Sequence, residues 1–228
     1  MTGRQLFDDW PERYDRWFDT TVGKVVLKYE RALVLDLLRP VRGEKILDAG
    51  SGTGIFTREF LVRGADVVGL DISWAMLRWA KGKNKEKDEV FSQGGVTADM
   101  TLLPFSDGVF DKTVSVTALE FIEDEKKAVA ELFRVTKPGG SVVVATLNSL
   151  SPWAIRRREN ARRDKGSVFN RVFFRSPAQL LAAAPVPGIV RTAVHFGKGD
   201  NPAELDRIER AGQGRETGAF LAARWEKR

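Results

Sequence analysis

The sequence ILDAGSGTG occupies residues 46–54. Its apolar first part predicts a buried strand that ends in an acidic residue, Asp48. The glycines that follow predict a tight turn, because glycine tolerates positive φ and lets the backbone approach a ligand closely. The apolar pattern at 55–61 predicts a helix whose first amides point at that ligand. The stretch is therefore typical of a nucleotide-binding strand–turn–helix corner.

The spacing of the glycines narrows the choice of nucleotide. They stand at Gly50, Gly52 and Gly54, whereas a dinucleotide fingerprint needs its third glycine where this chain has Ile55. A phosphate-binding P-loop is excluded as well, because no Gly-Lys-Ser/Thr sequence follows the turn. The turn thus matches neither of these two phosphate-binding patterns.

Length and composition limit the class of protein. A chain of 228 residues suits one α/β domain with a small cap. The absence of cysteine excludes disulfides, thiolate metal sites and a cysteine nucleophile, and a single histidine leaves little for a transition-metal site. No apolar run approaches the ~20 residues that cross a bilayer, and residues 1–10 lack the pattern of a secretory leader. We therefore predict no metal, no membrane span and a cytoplasmic location.

The positive charge is unevenly distributed along the chain. The formal net charge is +6, and residues 151–228 hold 16 Lys and Arg against 8 Asp and Glu. An anionic partner and a solvated helix face both produce such a count, and both interpretations stay open here. The arginines that cluster most densely are Arg156, Arg157, Arg158, Arg162 and Arg163.

Strands alternate with helices along most of the chain. This rhythm predicts parallel βαβ units, because a parallel connection needs a crossover helix. The sequence KPGG at 137–140 predicts a turn between a helix and the fifth strand, and Ser176 with Pro177 predicts the start of a short helix. The predicted strands are 45–48, 66–70, 90–98, 112–117, 141–147, 189–196 and 217–225, and the predicted helices include 7–38, 55–61 and 125–134.

Acidic residues follow three strands of the predicted sheet. Asp48, Asp71 and Asp99 close the first, second and third strands, and the fourth runs into 117–120. Because ligands bind at the carboxyl ends of parallel strands, we expect these carboxylates to surround one crevice. The second can accept the hydroxyls of a ribose and the third the exocyclic amine of adenine. An acidic crevice favours a cationic adenosine derivative, S-adenosylmethionine. The apolar residues predicted to enclose its purine are Ile72, Met76 and Met100.

These motifs resemble those of the class I S-adenosylmethionine-dependent methyltransferases. The resemblance runs from 46 to about 148: D-x-G-x-G-x-G at 48–54 resembles their motif I, and 132–140 resembles their L-x-R-x-x-K-P-G-G turn. The most similar subgroup is the ubiquinone- and menaquinone-biosynthesis type, which acts on small molecules. The resemblance implies a Rossmann-like, doubly wound sheet of seven mostly parallel strands, with an antiparallel last strand and helices on both faces.

The resemblance also implies how one methyltransferase domain would be divided. Residues 1–40 would form an N-terminal helical lid, and 41–150 would form the donor-binding half. Residues 151–175 would be a small, basic helical insertion that caps the domain after strand five, and 176–228 would supply a further helix and the last strands.

Roles of individual residues follow from the same resemblance. Backbone at Gly50, Ser51 and Gly52 would hold the methionine moiety, and Asp48 would organise that turn. The ribose would lie on Asp71. The remaining implied contacts are Asp99 and Met100 with the adenine, Thr117 and Leu119 on the far side, and Tyr14 as a lid over the donor carboxylate.

The class of acceptor molecule is narrowed by the motifs that the sequence lacks. Methyltransferases that act on nucleobase or glutamine amines usually carry Asn-Pro-Pro-Tyr after strand four, where this chain has TALE at 117–120. Pyrimidine C5 methylation needs a cysteine nucleophile, and no RNA-binding module is evident. A small molecule, which can be anionic, is thus the predicted acceptor. A base is needed only when the nucleophile carries a proton, and the candidates are Glu120, His195 and Asp15.

Several alternatives remain open. The chain can instead be a catalytically silent donor-binding protein, or an RNA or protein methyltransferase that uses the basic C-terminal third. Asp71 can cap a helix from Ser73, and the N-terminal aromatic residues can be ordinary core. His195 can be structural, and Glu120 can be a helix N-terminal carboxylate. Length and pattern are compatible with a monomer or a homodimer.

Overall fold

The computed structural model describes residues 4–83 and 95–228. Their strands are β1 Lys45–Ala49, β2 Asp66–Asp71, β3 Val96–Thr97, β4 Phe110–Val116, β5 Thr136–Leu147, β6 Gly188–Ala193 and β7 Phe220–Glu226. These form one seven-stranded sheet in the order β3-β2-β1-β4-β5-β7-β6. Paired strands are parallel except at β7, which is antiparallel to both β5 and β6. The predicted mostly parallel sheet with an antiparallel last strand is confirmed.

Helices connect the strands in the βαβ manner that the alternation predicts. The α-helices are α1 Pro11–Asp19, α2 Thr21–Leu38, α3 Ile55–Val62, α4 Trp74–Lys83, α5 Glu125–Val135, α6 Pro152–Arg163, α7 Pro177–Leu181 and α8 Leu205–Gly212. Short 3₁₀ turns lie at Leu119–Phe121, Val168–Arg171 and Pro202–Glu204. The sheet is doubly wound, as predicted, since apolar residues of its two faces form two separate cores. One core includes Val34, Phe60 and Phe220, and the other includes Leu132 and Trp225.

The direction of winding reverses at β1. From β1 the chain proceeds outward through β2 and β3, and it then returns to build β4 and β5 on the opposite side. The connections that follow β1 and β4 therefore run on opposite faces of the sheet. This opens a crevice at the carboxyl ends of these two strands. The glycine-rich turn and the loop after β4 both lie at this point.

The N-terminal segment differs from the prediction of one helix over 7–38. Helix α1 ends at Asp19, and Thr20 adopts an extended conformation with ψ of 154°. The Thr20 hydroxyl accepts the amide of Gly23 at 3.0 Å and so caps α2. A Cβ at Gly23 would lie 2.0 Å from the Trp17 carbonyl oxygen. This close approach lets α1 fold back across the cavity while α2 packs on the sheet.

Two strand predictions also need correction. The strand predicted over 189–196 ends at Ala193, because Val194 has a φ of +65° that a regular strand does not accommodate. The predicted turn at 137–140 lies inside β5 as a bulge between the residues that pair with Phe110 and Lys112. Of the strand predicted over 90–98, only Val96–Thr97 is a strand within the described residues; 90–94 lie outside them.

The basic insertion forms a helix that packs onto the domain. Ser151 caps α6 by accepting the amide of Ala154 at 3.1 Å. The indole of Trp153 is buried and donates to the Phe196 carbonyl at 2.5 Å. The small helical insertion predicted after strand five is thus observed, whereas sequence reasoning did not predict α8, whose Leu205 is buried in one of the cores.

Candidate functional site

A cavity of about 500 Å³ lies at the carboxyl ends of β1, β2 and β4. The glycine-rich turn, the ends of β2 and β4, the loop after β3 and α1 with the residues before it all contribute to its walls. The predicted donor-site residues that line it are Tyr14, Asp48, Gly50, Ser51, Gly52, Asp71, Ile72, Met76, Asp99, Met100 and Thr117. The fold thus brings together side chains that stand far apart in the chain.

The glycine-rich turn forms one wall of the cavity and depends on positive φ angles. Gly50 has a φ of +80° and Gly52 one of +54°. A Cβ on Gly50 would lie 2.3 Å from that of Ala118, so only glycine fits there. The amides of Gly50 and Ser51 donate to the Leu70 carbonyl at 2.6 and 2.9 Å, which ties the turn to β2.

Asp71 links the turn to the helix that follows β2. One carboxylate oxygen accepts the amide of Gly52 at 2.9 Å, and the other accepts that of Ser73 at 2.8 Å. Burial raises the pKa of Asp71, and the Ser73 and Gly52 amides act against that rise. The same side chain thus serves the cavity and the start of α4, so the donor-site and helix-cap interpretations are compatible.

Asp48 is the most deeply buried carboxylate of the cavity. It is 1% exposed and accepts the hydroxyl of Thr57 at 2.6 Å. Burial raises its pKa to about 7, the Thr57 hydroxyl opposes this, and the nearby Asp71 carboxylate adds to it. A cation bound in the cavity would favour the ionised form of this group.

The loop after β3 forms the side of the cavity that faces β2. The Asp99 carboxylate accepts the amide and the hydroxyl of Thr101 at 2.8 and 2.9 Å. Met76 and Met100 are buried, whereas Ile72 is 39% exposed. Two sulfur-containing side chains and one aliphatic side chain thus border a polar rim, an arrangement suited to a flat heterocycle.

Helix α1 contributes Tyr14 to the cavity lining and is held in place by polar contacts. The hydroxyl of Tyr14 lies 3.3 Å from that of Thr117. Asp15 accepts the Thr53 hydroxyl and the Trp79 indole N–H, both at 2.7 Å. Burial raises the pKa of Tyr14, which keeps its hydroxyl neutral. These contacts join the helix to the glycine-rich turn, to α4 and to the end of β4.

Comparison with known proteins identifies the core of the fold. Residues 47–144 match the family described as a methyltransferase domain. This part of the chain is a class I methyltransferase domain. The resemblance drawn from the motifs is confirmed, and the cofactor of the family is S-adenosylmethionine, as predicted.

Curated relatives of the methyltransferase domain include methyltransferases of two kinds. The chain is 39% identical to a demethylmenaquinone methyltransferase of Renibacterium salmoninarum over 140 residues, which are 61% of this chain and 56% of that protein. It is 42% identical to a malonyl-[acyl-carrier protein] O-methyltransferase of Buchnera aphidicola over 102 residues, 45% of this chain and 39% of that one. The chain therefore spans roughly half the length of the curated relatives that it matches.

A solved structure shares the fold over nearly the whole chain. It is a methyltransferase of Thermotoga maritima, described as a possible histamine N-methyltransferase, with a TM-score of 0.71 and 23% identity. The match covers 97% of this chain and 98% of that one. At this identity the likeness is one of fold, and it includes the N-terminal helices and the insertion around the methyltransferase domain.

Glu120 and Leu119 lie behind the cavity wall and not on it. Leu119 is fully buried and packs in the core on the α5 face. Glu120 is 2% exposed and accepts the Thr146 hydroxyl at 3.0 Å. Burial raises its pKa to about 7, whereas Arg157 and Arg175 lower it. Neither residue is among those that border the cavity, because the 3₁₀ turn after β4 directs both inward.

His195 lies outside the cavity, beside α8. Its Nδ1 is 3.3 Å from the Glu209 carboxylate, and its Nε2 is 3.2 Å from the Thr192 hydroxyl. The same Glu209 accepts the amides of Val194 and His195 at 2.9 and 2.6 Å. Gly212 provides the space for the ring, since a Cβ there would lie 2.3 Å from it. His195 therefore stabilises the positive-φ turn after β6.

Sequence reasoning missed Glu30, a buried carboxylate on α2. It is 7% exposed, and among the described residues its carboxylate accepts no hydrogen bond. Burial raises its pKa to about 8; Arg157 opposes this and Glu120 adds to it. The signal was present in the sequence, because Glu30 interrupts the apolar stripe formed with Val26 and Val34 at helical spacing.

Arg157 connects this carboxylate pair to the basic insertion. Its guanidinium lies 5.1 Å from the Trp153 ring centroid and 4.9 Å from that of Phe169. It acts electrostatically on both Glu30 and Glu120. Two carboxylates and one guanidinium thus share a buried site next to Tyr14, whose hydroxyl faces the cavity.

Residues 4–83 and 95–228 contain neither a candidate metal site nor a helix that could span a membrane. Within those ranges, no three His, Asp or Glu side chains are grouped so that they could hold a metal ion. Nor is any described helix long and apolar enough to cross a bilayer.

Proposed function

We propose that this protein transfers the methyl group of S-adenosylmethionine to a small-molecule acceptor bound in the same cavity. The observation that carries the proposal is the convergence of the glycine-rich turn with Asp48, Asp71 and Asp99 around one cavity of a methyltransferase domain. Because the chain spans roughly half of its curated relatives, its activity and acceptor are inferred from this site and not from their names.

The residues of the cavity fit the donor. The Ser51 hydroxyl is buried at the cavity, and none of the described residues pairs with it. A Cβ on Gly52 would meet nothing within 4 Å, so the turn leaves room for a ligand close to its backbone. We assign the methionine moiety to Gly50, Ser51 and Gly52, and the ribose to Asp71.

The other end of the donor is assigned to the loop after β3. The adenine would lie between Met76, Met100 and Ile72, with its exocyclic amine toward Asp99. When bound, S-adenosylmethionine supplies a methyl group on a positively charged sulfur. Asp48, which lies at the end of β1, contributes negative charge to the cavity, and this charge favours the cationic donor over its neutral product.

The remaining task of the protein is to align the acceptor and to exclude water. Methyl transfer is an in-line displacement, so most of the rate enhancement is expected from positioning and desolvation. Helix α1 is suited to this role because Asp15 and Tyr14 fix it over the cavity. His195 is not among the residues that border the cavity, so we do not assign it as a base, and Glu120 is retained only as a buried neighbour of Tyr14.

Calorimetric titration with S-adenosylmethionine and S-adenosylhomocysteine tests the donor site, with NAD as the negative control. We expect micromolar binding of both sulfur ligands that is lost in Asp71→Ala. Asp66→Ala is the matched control, because Asp66 is an exposed carboxylate at the start of the same strand. Equal binding in both variants would contradict the assignment of the ribose.

Transfer of labelled methyl groups to a metabolite extract tests the reaction. Label in a small-molecule fraction supports the proposal. Label in RNA or protein would show that the acceptor is a macromolecule. Donor binding without any methyl transfer would indicate a catalytically silent protein. Cytoplasmic location and the choice between monomer and homodimer stay predictions from the sequence.

A further inference from the structure

The cavity has two chemically different ends. The half assigned to the donor carries the carboxylates Asp48, Asp71 and Asp99. The other end is formed by the residues before α1, by the loop after β4 and by the 3₁₀ turn of the basic insertion. It is bordered by Leu6, Phe7, Phe121, Ile122 and Arg171. The lining of the cavity thus combines carboxylates in one group of residues with apolar surface and a guanidinium in the other.

The apolar part of this end consists of two aromatic walls. The rings of Phe7 and Phe121 are in edge-to-face contact with centroids 4.7 Å apart. Phe7 also contacts the ring of Trp10 at 5.8 Å. Both phenylalanines are only half-buried, so their free faces are available to a ligand. Flat apolar molecules pack well against such surfaces.

Arg171 is held at the cavity by contacts on both sides of it in the chain. Before it, the ring of Phe169 stacks on the Arg157 guanidinium at 4.9 Å. After it, the Phe173 amide donates to the Glu120 carbonyl at 2.7 Å, next to Phe121. A short segment fixed at both ends therefore places Arg171 at the cavity, which is the condition for a specific contact.

The segment that follows is fixed by a second arginine. Arg175 is 4% exposed and donates to the carbonyls of Leu119, Ile122 and Phe173 at 2.9, 2.6 and 3.0 Å. It therefore ties the insertion to the loop after β4. All of its contacts are internal, which leaves it no role toward a ligand.

Arg171 differs from these neighbours because its guanidinium has no partner among the residues that the structure describes. The guanidinium of Arg175 donates hydrogen bonds to carbonyls, and that of Arg157 contacts aromatic rings and interacts with buried carboxylates. Arg4, which also borders the cavity, pairs with Asp9. Within the described part of the chain, Arg171 makes no hydrogen bond or ion pair. It is the guanidinium of this end that a ligand can bind.

We propose that this end of the cavity binds an aromatic or similarly flat apolar acceptor that carries an anionic group, and that Arg171 pairs with that group. The inference rests on the proposed function, because it assigns this end to the acceptor. A guanidinium binds carboxylate, phosphate or sulfonate oxygens through charge-assisted hydrogen bonds. The carboxylates of the donor half disfavour an anion beside them, so we expect the acceptor to bind with its uncharged part toward the donor.

Two fluorescent dyes that differ in one group test this inference. Anilinonaphthalene sulfonate and N-phenylnaphthylamine share their ring system, and only the first is anionic. We titrate each into the protein saturated with S-adenosylhomocysteine, and we expect the anionic dye to bind more tightly to the wild type. In Arg171→Gln we expect about a tenfold loss for the anionic dye and less than about a twofold change for the neutral one.

Two further variants test whether the loss of affinity for the anionic dye is specific to Arg171. Arg162→Gln removes an exposed arginine of the same insertion that does not border the cavity, and it should change neither affinity. Phe121→Leu should weaken both dyes, because the aromatic wall is common to them. Equal losses of the two dyes in Arg171→Gln, no loss in either, or no binding to the wild type would each overturn the inference.

The proposed function is measured separately in the same samples. Calorimetry with S-adenosylhomocysteine reports on the donor half, where Arg171→Gln should bind as the wild type does. Absence of that binding in the wild type would overturn the methyltransferase proposal, whereas the dye titrations without product would still decide whether an anion site exists at Arg171.

Discussion

The Tyr14 hydroxyl lies 3.3 Å from the Thr117 hydroxyl and joins the N-terminal helix to the loop after β4. Thr117 holds this position with a φ of +50°, which is unusual for a β-branched residue. Its amide donates to the Ala145 carbonyl at 2.9 Å, so the neighbouring strand supports that conformation. Strained backbone of this kind is frequent at functional sites.

Removal of the Tyr14 hydroxyl should loosen α1 and weaken product binding. We expect Tyr14→Phe to lower affinity for S-adenosylhomocysteine by about threefold to tenfold, since one hydrogen bond contributes ~1 kcal/mol. Hydrogen exchange of the α1 amides should become faster. Tyr29→Phe is the control, because the Tyr29 hydroxyl donates to Asp206 away from the cavity. Unchanged affinity and exchange would show that α1 is held without this contact.

Glu30 should make the protein less stable as the pH rises. Its pKa is raised to about 8 in the folded chain, above the ordinary value of a glutamate, because burial disfavours the charged form. The unfolded chain therefore releases this proton first, and stability falls as the pH increases from near 4.5 to about 8. We expect Glu30→Gln to be more stable than the wild type at about pH 9, by on the order of a few kcal/mol, and similar to it at about pH 5.

Urea unfolding at the two pH values measures this difference. Asp36→Asn is the control on the same helix, because Asp36 is exposed and its ion pair with Arg191 lies at the surface. Surface ion pairs contribute little, so its effect should be small at both pH values. If the free energy of unfolding of Glu30→Gln equalled that of the wild type at both pH values, burial would not raise the pKa of the Glu30 carboxyl as described.

Asp48 should make donor binding depend on pH. Its pKa is raised to about 7, so its charge is lost as the pH falls through that value. The donor carries a positive sulfur and the product does not; we therefore expect S-adenosylmethionine affinity to fall more than product affinity between about pH 8 and about pH 6. Calorimetry at the two pH values measures both, and Asp48→Asn should remove the difference. The same pH dependence for both ligands would argue against a direct charge effect.

The glycine turn should respond differently to substitution at Gly50 and at Gly52. Gly50→Ala should lower stability and abolish donor binding, because its Cβ would lie 2.3 Å from that of Ala118. Gly52→Ala should lose mainly donor binding, since its Cβ would point into open space where the ligand is assigned. Both carry about 1 kcal/mol of backbone strain at positive φ.

Gly139→Ala supplies the strain control for that pair. Gly139 has a φ of +79° with no neighbouring atom within 4 Å of its Cβ position, and it does not border the cavity. Thermal unfolding and donor titration of the three variants separate strain from loss of the binding site. A Gly52→Ala variant that binds donor as well as Gly139→Ala does would contradict the assignment of the methionine moiety.

The parts of the site that the sequence predicted are those governed by local rules. The glycine turn was recognisable because positive φ at Gly50 and Gly52 restricts the residue type. The placement of Asp71 and Asp99 followed because carboxyl ends of parallel strands meet at one edge. Other local rules were insufficient: the helical pattern over 7–38 did not reveal the break at Thr20, since a single extended residue leaves the apolar periodicity almost unchanged.

The sequence by itself therefore determined the α/β architecture, the family and the acidic half of the cavity, because these depend on spacing along short segments. Only the tertiary structure decided that Glu30 lies beside Glu120 and Arg157, that His195 lies beside Glu209 and does not border the cavity, and that Arg171 does border it. Helical periodicity indicates which face of an element is buried, but not what it is buried against. That second property depends on how distant segments of the chain pack against one another.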